Sequence, residues 1–315
     1  MPHRIEILAF ADAQLLDVTG PAQVFATAND LTPAGTSKPY EIAIVSALPD
    51  VVTSSGIVLR AEPLSLGEAD VGTLIVSGGY GVDAACRDRS LIVWIHRRAG
   101  MASRVASVCS GAILLAEAGL LDGRRAVTHW QRCAEFASRF PSVRLDPDPI
   151  FVCDGTIWTS AGITAGIDLA LAMVEADCGR ALALAVARQL VVFLKRPGGQ
   201  AQFSCALALQ GADAKFEELH AWITDNLSRD LSALADQAGM SLRTFCRRYR
   251  QSTGRTPADG VEMIRLEGAR RYLEEGASVT RAAARCGFGS TETMRRVFLR
   301  HLGVGPNAYR ERFHG

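Results

Sequence analysis

The 315-residue sequence predicts an α/β fold: a parallel-sheet sandwich domain followed by an all-α domain with two helix-turn-helix motifs. Three observations carry that expectation. From residue 4 to about 195, short runs rich in Ile and Val alternate with helical stretches, the pattern of a parallel sheet covered on both faces. "KRPGGQAQF" (195–203) then halts any helix, because Pro197, Gly198 and Gly199 do not propagate one. Beyond Lys215 strand patterns cease, and an Ala-rich helix, a glycine turn and a basic helix occur twice.

The runs "RIEILAF" (4–10), "YEIAIVSA" (40–47), "TLIVSGG" (73–79) and "RVASV" (104–108) read as buried strands, being continuously apolar. Segments 20–29, 88–100 and 110–118 read as the helices between them. In "FVCDGTIWTS" (151–160), Asp154-Gly155 divides two β-rich runs and predicts a hairpin. Two apolar helices follow, 164–176 and 179–194. The expected boundaries are 1–195 for the α/β domain, 196–214 for a linker and 215–315 for the helical domain.

With 48% apolar and 21% charged residues, the chain has material for two soluble cores. Overall charge is +1, but it is unevenly placed. Residues 1–214 hold 17 Lys and Arg against 21 Asp and Glu, whereas 215–315 hold 17 against 12. An acidic front and a basic tail locate any polyanion-binding surface in the last third. Arg4 and Glu6 interrupt the start, so it is no signal peptide. Asp168 and Arg188 break the most apolar segments, so no membrane span is expected. The eight cysteines stand singly, without a C-x-x-C pair or histidines at ligand spacing. No disulfide framework, metal site or cofactor is expected, and the reducing cytoplasm fits.

Residues 231–251, "LSALADQAGMSLRTFCRRYRQ", have the form of a helix-turn-helix: a helix from Leu231 to Ala238, a turn at Gly239 and a cap at Ser241. On the second helix Phe245 and Tyr249 share the core face, while Arg243, Cys246, Arg247 and Arg250 form the opposite stripe. Guanidinium pairs bidentately with phosphate and with guanine edges, so the stripe points to double-stranded DNA. The pattern recurs over 278–303, with a turn at Gly287 and a cap at Ser290. There Met294, Phe298 and Leu302 face inward, and Thr291, Glu292, Arg295 and Arg296 outward. A joining helix over 257–275 would run about 28 Å, near the roughly 34 Å of one DNA turn, so both basic helices could enter successive major grooves. The alternative is a helical bundle with a solvated basic face.

"GRTPADGVEMIRLEGARRYLEEG" and "AARCGFGSTETMRRVFLRHLGVGPNAYRERF" resemble the AraC/XylS DNA-binding domain over residues 216–313. That resemblance implies base-facing positions at Arg243, Cys246 and Arg247 in the first motif, and at Thr291, Glu292, Arg295 and Arg296 in the second. A thiol at 246 is a weak hydrogen-bonding group, which disfavours direct readout there.

"LLDVTGPAQVF", "LIVSGG", "VCSGAILLAEAGLLDGRRAVTHW" and "TSAGITAGIDLAL" resemble the class I glutamine-amidotransferase-like (ThiJ/PfpI) superfamily. Their order before an AraC-type tail resembles the GlxA-type regulators across the whole chain, and implies a flavodoxin-like first domain that senses a ligand and dimerises. A strand, Cys109 and a helix in immediate succession predict an exposed thiol at a nucleophile elbow, its thiolate favoured by the helix N-terminus. Gly78-Gly79 could aim backbone N–H groups at an anion. Asp17 falls where the superfamily keeps an acid near the cysteine. Hydrolytic members carry a histidine after the cysteine, but here the residue is Ser110, which removes the usual base. His129 either lines the same pocket or is a structural histidine. Cys109 could instead be a packed small hydrophobe, and Asp17 a capping carboxylate before Pro21. Asp168 is expected to hold local structure.

Two functional classes stay open. One is a transcriptional regulator whose pocket, formed by Cys109, Asp17, Gly79, Ser110 and His129, binds a small nitrogenous metabolite. Its partners would be promoter DNA, a second copy of the chain and RNA polymerase, with the apolar helices at 164–194 as the dimerising surplus. The other is a cysteine-dependent enzyme similar to isocyanide hydratases or hydrolases with an appended DNA-binding domain. The tandem basic helices favour the regulator.

Overall fold

The computed structural model describes residues 2–33, 35–65, 71–192, 194, 214–302 and 304–314, and the chain divides into two compact units, Met1–Arg196 and Pro197–Gly315. Apart from Ala214, the segment expected as a linker lies outside the described residues.

The first unit contains strands β1 (His3–Leu8), β2 (Tyr40–Ser46), β3 (Asp50–Val52), β4 (Val58–Arg60), β5 (Glu62–Pro63), β6 (Val71–Val76), β7 (Ala102–Val108), β8 (Arg125–Ala126), β9 (Arg144–Leu145), β10 (Phe151–Asp154) and β11 (Ile157–Ser160). Its helices are α1 (Leu15–Asp30), α2 (Val82–Ala85), α3 (Arg89–Ala99), α4 (Gly111–Glu117), α5 (Cys133–Arg139), α6 (Ala165–Cys178) and α7 (Arg180–Gln189). Seven strands form one sheet in the order β10-β11-β7-β6-β1-β2-β5. Every pairing in it is parallel except the β10–β11 hairpin, whose turn uses Gly155 at φ +62°.

Side chains alternate across the sheet, so neighbouring residues feed opposite layers. Leu74 and Val105 pack under α3 and α4 with Trp94, Ile95 and Leu114. Ile75, Ala106 and Val108 pack under α1, α6 and α7 with Phe25, Leu169, Met173 and Val186. The register sets Leu8 beside Val76, Val76 beside Ser107, and Val108 beside Ser160. The loops leaving β6, β7 and β11 are therefore brought to one place at the carboxyl edge.

Helix α1 starts at Leu15, five residues before the expected segment, and accommodates Pro21 within it. Proline normally marks a first turn because it lacks an N–H. Here Val18, Val24, Phe25 and Ala28 recur at helical spacing and are all buried, and that burial outweighs one missing backbone bond. Leu169, Leu171, Met173, Val174, Ala183 and Val186 lie in the unit's core, whereas Leu182, Leu184 and Leu190 stay half-buried and Val191 is exposed.

The second unit contains α8 (Ala214–Asp225), α9 (Leu231–Gln237), α10 (Leu242–Thr253), α11 (Pro257–Glu274), α12 (Val279–Arg285), α13 (Thr291–Leu302) and α14 (Pro306–His314). Helix α11 serves two small cores. Val261 and Ile264 pack with Phe216, Leu219, Phe245 and Tyr249 of the first, while Leu266, Ala269 and Leu273 pack with Met294, Phe298 and Tyr309 of the second. Gly260 makes the first possible, since a Cβ there would lie 2.0 Å from the Tyr249 hydroxyl. Among the described residues, no helix is long and apolar enough to cross a membrane.

Candidate functional site

Strand β7 turns into α4 at Cys109, whose φ of +59° is unusual for a side-chain-bearing residue. Such strain costs on the order of 1–3 kcal/mol and persists only where neighbours hold it. Here the Cys109 N–H donates to the Ser160 carbonyl at 3.1 Å, and the Thr128 hydroxyl donates to the Cys109 carbonyl at 3.0 Å. Gly162 (φ +105°) provides the space, because a Cβ there would lie 2.3 Å from the Cys109 Cβ. The elbow expected from strand, cysteine and helix in succession is thus present in the backbone.

Asp17, in the first turn of α1, is fully buried beside it. One carboxylate oxygen accepts the Ile163 N–H at 2.9 Å and the other the Gly78 N–H at 3.1 Å. The carboxyl also hydrogen-bonds the Cys109 thiol. Burial raises its titration to about 6, against the pull of those hydrogen bonds. Asp17 is neither a loop residue nor a cap.

Three expectations are corrected. Cys109 is buried, 9% exposed, rather than open to solvent. Its thiol is pushed up, not down, first by burial and then by the Asp17 charge, with only partial opposition from Ser110. Desolvation therefore outweighs the partial charge of the short α4. The Gly78 and Gly79 N–H groups are also engaged: Gly78 on Asp17, and Gly79 on the Ser110 hydroxyl at 3.0 Å. They form a closed internal network instead of an anion cradle.

Asp17, Ser110 and Gly78 thus flank Cys109, Gly79 joins them only through the Ser110 hydroxyl, and His129 does not join them in the described contacts. Its ring packs on Trp130 at 5.6 Å, and burial, then Arg132, lowers its titration. The neighbour Thr128 is the residue that touches the elbow. Thr128, Ser160, Gly162 and Ile163 lie inside the stretches "RRAVTHW" and "TSAGITAGIDLAL", but nothing in their spacing assigns them to the elbow. Asp168 is buried in the first turn of α6. A cavity of about 230 Å³ lies elsewhere on the same edge, lined by Phe10, Ser46, Leu48, Ala84, Asp88 and Leu91, and not by Cys109. Among the described residues no three His, Cys, Asp or Glu side chains gather as metal ligands would.

In the second unit, Asp230 and Ser241 cap α9 and α10, and Gly239 at φ +65° makes the turn between them. Ser278 and Ser290 cap α12 and α13 in the same way, the second by accepting the Thr293 N–H at 3.1 Å. Phe245 and Tyr249 are buried, leaving Arg243, Arg247 and Arg250 exposed and Cys246 half-buried. On α13, Met294, Phe298 and Leu302 are buried and Thr291, Glu292, Arg295 and Arg296 exposed. Between them α11 spans 18 residues, about 27 Å at the helical rise. Its Glu262 holds Arg300 (3.3 Å) and His301 (2.8 Å) at the far end of α13.

Residues 3–176 match the DJ-1/PfpI family and residues 234–312 a helix-turn-helix domain. The chain is 34% identical over 264 residues to the HTH-type transcriptional regulator Rv1931c of Mycobacterium tuberculosis, spanning 77% of this chain and 96% of that one. It is also 34% identical over 193 residues to the isonitrile hydratase of Pseudomonas putida, spanning 60% and 78%. Among solved structures, an AraC family transcriptional regulator from Pseudomonas putida superposes with a TM-score of 0.50 at 25% identity, covering 60% of this chain and all of that one. The chain belongs to the DJ-1/PfpI family, among its HTH-type transcriptional regulators with an AraC-type C-terminal domain.

Proposed function

We propose that this regulator reads double-stranded DNA with Arg243, Cys246, Arg247 and Arg250 of α10 and with Thr291, Glu292, Arg295 and Arg296 of α13. The observation that carries the reading is that the arginines of α10 and all four residues of the α13 stripe stand exposed opposite fully buried anchors, Phe245 on α10 and Met294 and Phe298 on α13. Positively charged groups gain counterion-release energy on DNA, and their guanidinium forks match guanine edges. Cys246 contributes packing more than readout. A gel shift with the chain's own upstream region tests this: specific retention that weakens steeply with salt is expected, and equal retention of random DNA would reject it.

The α/β unit we assign to effector control in a cytoplasmic homodimer, which would present four such helices to a repeated site and act on RNA polymerase at the promoter. The effector class is a small nitrogenous metabolite, and the site is the carboxyl edge where Cys109, Asp17, Gly79 and Ser110 converge. Support comes from the buried elbow held at a positive φ, a strained backbone of the kind that clusters at ligand and switch sites. Thermal-shift screening of amines and amino acids tests the effector, and sedimentation of the full chain tests the dimer.

A second reading, isonitrile hydration, has one observation in its favour: Asp17 hydrogen-bonds the elbow cysteine, in a chain similar to an isonitrile hydratase. Multiple turnover of an isocyanide by the full chain, lost in Cys109→Ser, would establish it.

A further inference from the structure

The two recognition helices differ in charge composition. Helix α10 carries Arg243, Arg247, Arg248 and Arg250 and no acidic residue from Leu242 to Thr253. Among the described ion pairs, none joins these arginines to a carboxylate. Helix α13 carries Glu292 in its first turn, on the exposed stripe, with Oε2 3.5 Å from Arg295 Nε.

A carboxylate facing DNA is repelled by the phosphates, so Glu292 weakens binding wherever it makes no base contact. It offers acceptors only. In the major groove cytosine presents its N4 donor alone, whereas adenine sets the N7 acceptor beside its N6 donor and so repels a carboxylate, and the guanine and thymine edges present acceptors. Arg295 directs Nε toward Glu292, which leaves its two Nη groups to pair with guanine O6 and N7. Three residues advance about 4.5 Å along a helix, close to the roughly 3.4 Å rise of a base step. The two side chains therefore meet neighbouring base pairs. Arg300 and His301, held on Glu262, fix the other end of α13 and with it the register.

We infer that Glu292 and Arg295 act as one reading unit that selects a cytosine next to a guanine in the half-site of α13, while α10 supplies positive charge without an acidic filter. This rests on the reading of α13 as a DNA-contacting helix.

The test is selection from a randomised duplex library by the full chain, repeated with Glu292→Gln, Arg295→Ala and Arg296→Ala. The wild type should enrich adjacent C and G about one DNA turn from the site of α10. Glu292→Gln places a donor as well as an acceptor there, so it should lose about tenfold of the discrimination for cytosine and bind random DNA more tightly. Arg295→Ala should relax the neighbouring guanine. A wild-type second half-site without adjacent C and G, or a Glu292→Gln selection identical to wild type, overturns the inference. If no second half-site is enriched and Arg296→Ala changes nothing, α13 does not touch DNA, and the inference falls together with the reading beneath it.

Discussion

The cysteine elbow and the basic helices use their polar groups in opposite ways. At the elbow, the Gly78 N–H is engaged by Asp17, the Gly79 N–H by Ser110, and the Cys109 thiol by Asp17. On α10 Arg243, Arg247 and Arg250, and on α13 Arg296, present their guanidinium groups to water. A site satisfied internally can respond only by exchanging one hydrogen-bonded arrangement for another, whereas an exposed stripe binds without rearrangement. The first disposition suits a switch and the second a reader.

The comparison breaks first on the reader. The triple variant Arg243→Ala, Arg247→Ala, Arg250→Ala should lose specific DNA binding by a factor on the order of 10³–10⁴, with a shallower salt dependence. These side chains are exposed, so the melting profile should stay close to wild type. Footprinting and a salt titration check both. Retained protection at the α10 half-site would mean that this stripe is not the reading surface.

Next comes the packing that keeps the elbow closed. Gly162→Ala puts a methyl group 2.3 Å from the Cys109 Cβ at a backbone φ of +105°. Strain and overpacking together should destabilise the first unit by roughly 4 kcal/mol. Urea unfolding of the full chain should show the loss in the α/β unit, with the helical unit unaffected. An unchanged midpoint would mean that the elbow is looser than this geometry requires.

The reader was more legible in the sequence than the switch. Phe245, Tyr249 and the arginines between them follow from helical spacing, because an exposed stripe is defined by its own helix. The caps Ser241 and Ser290 were readable for the same local reason. The elbow backbone was also readable from "SVCSGA", and Asp17 was placed near it by resemblance. What the elbow does chemically was not readable, because it depends on four loops meeting. The close approach to Cys109 comes from Gly162, some fifty residues away, and the engagement of Gly79 comes from Ser110. His129 and Thr128 differ by one residue, and in an extended segment that reverses which side chain faces the elbow. Helix α1 begins five residues before the expected 20–29 segment, because the burial that extends it to Leu15 is tertiary.

Third in size is the pH response of the closed site. The Asp17 carboxyl titrates near 6 in the fold against 3.8 in its absence. A raised carboxyl pKa means that its contribution to stability is complete below about pH 3.8 and is lost as pH rises through about 6. The total change is about 3 kcal/mol. Asp17→Asn should flatten that window, although its amide cannot accept from both Gly78 and Ile163 and lowers stability at every pH. Urea midpoints of wild type and variant between pH 4 and 7 should converge as pH rises. Parallel profiles would show that Asp17 does not titrate in this range.

The smallest effect on stability, and the sharpest test of closure, belongs to Cys109 itself. Cys109→Ser keeps a group that can hydrogen-bond Asp17 in a slightly smaller volume, so stability should change by only about 1 kcal/mol. DNA binding without effector should not change, because Cys109 belongs to the α/β unit and the DNA-reading helices to the helical one. Response to effector should fall, since a ligand entering at this edge must compete for the same donors. Alkylation separates closed from open. Cys178 is exposed, whereas burial and the Asp17 charge disfavour the Cys109 thiolate. Iodoacetamide should therefore label Cys178 first and Cys109 at least roughly tenfold more slowly, as read by peptide mass spectrometry. Denaturation should erase the difference. Labelling of Cys109 ahead of Cys178 in the folded chain would mean that the elbow opens in solution. The contrast between a closed switch and an open reader would then fail at the switch.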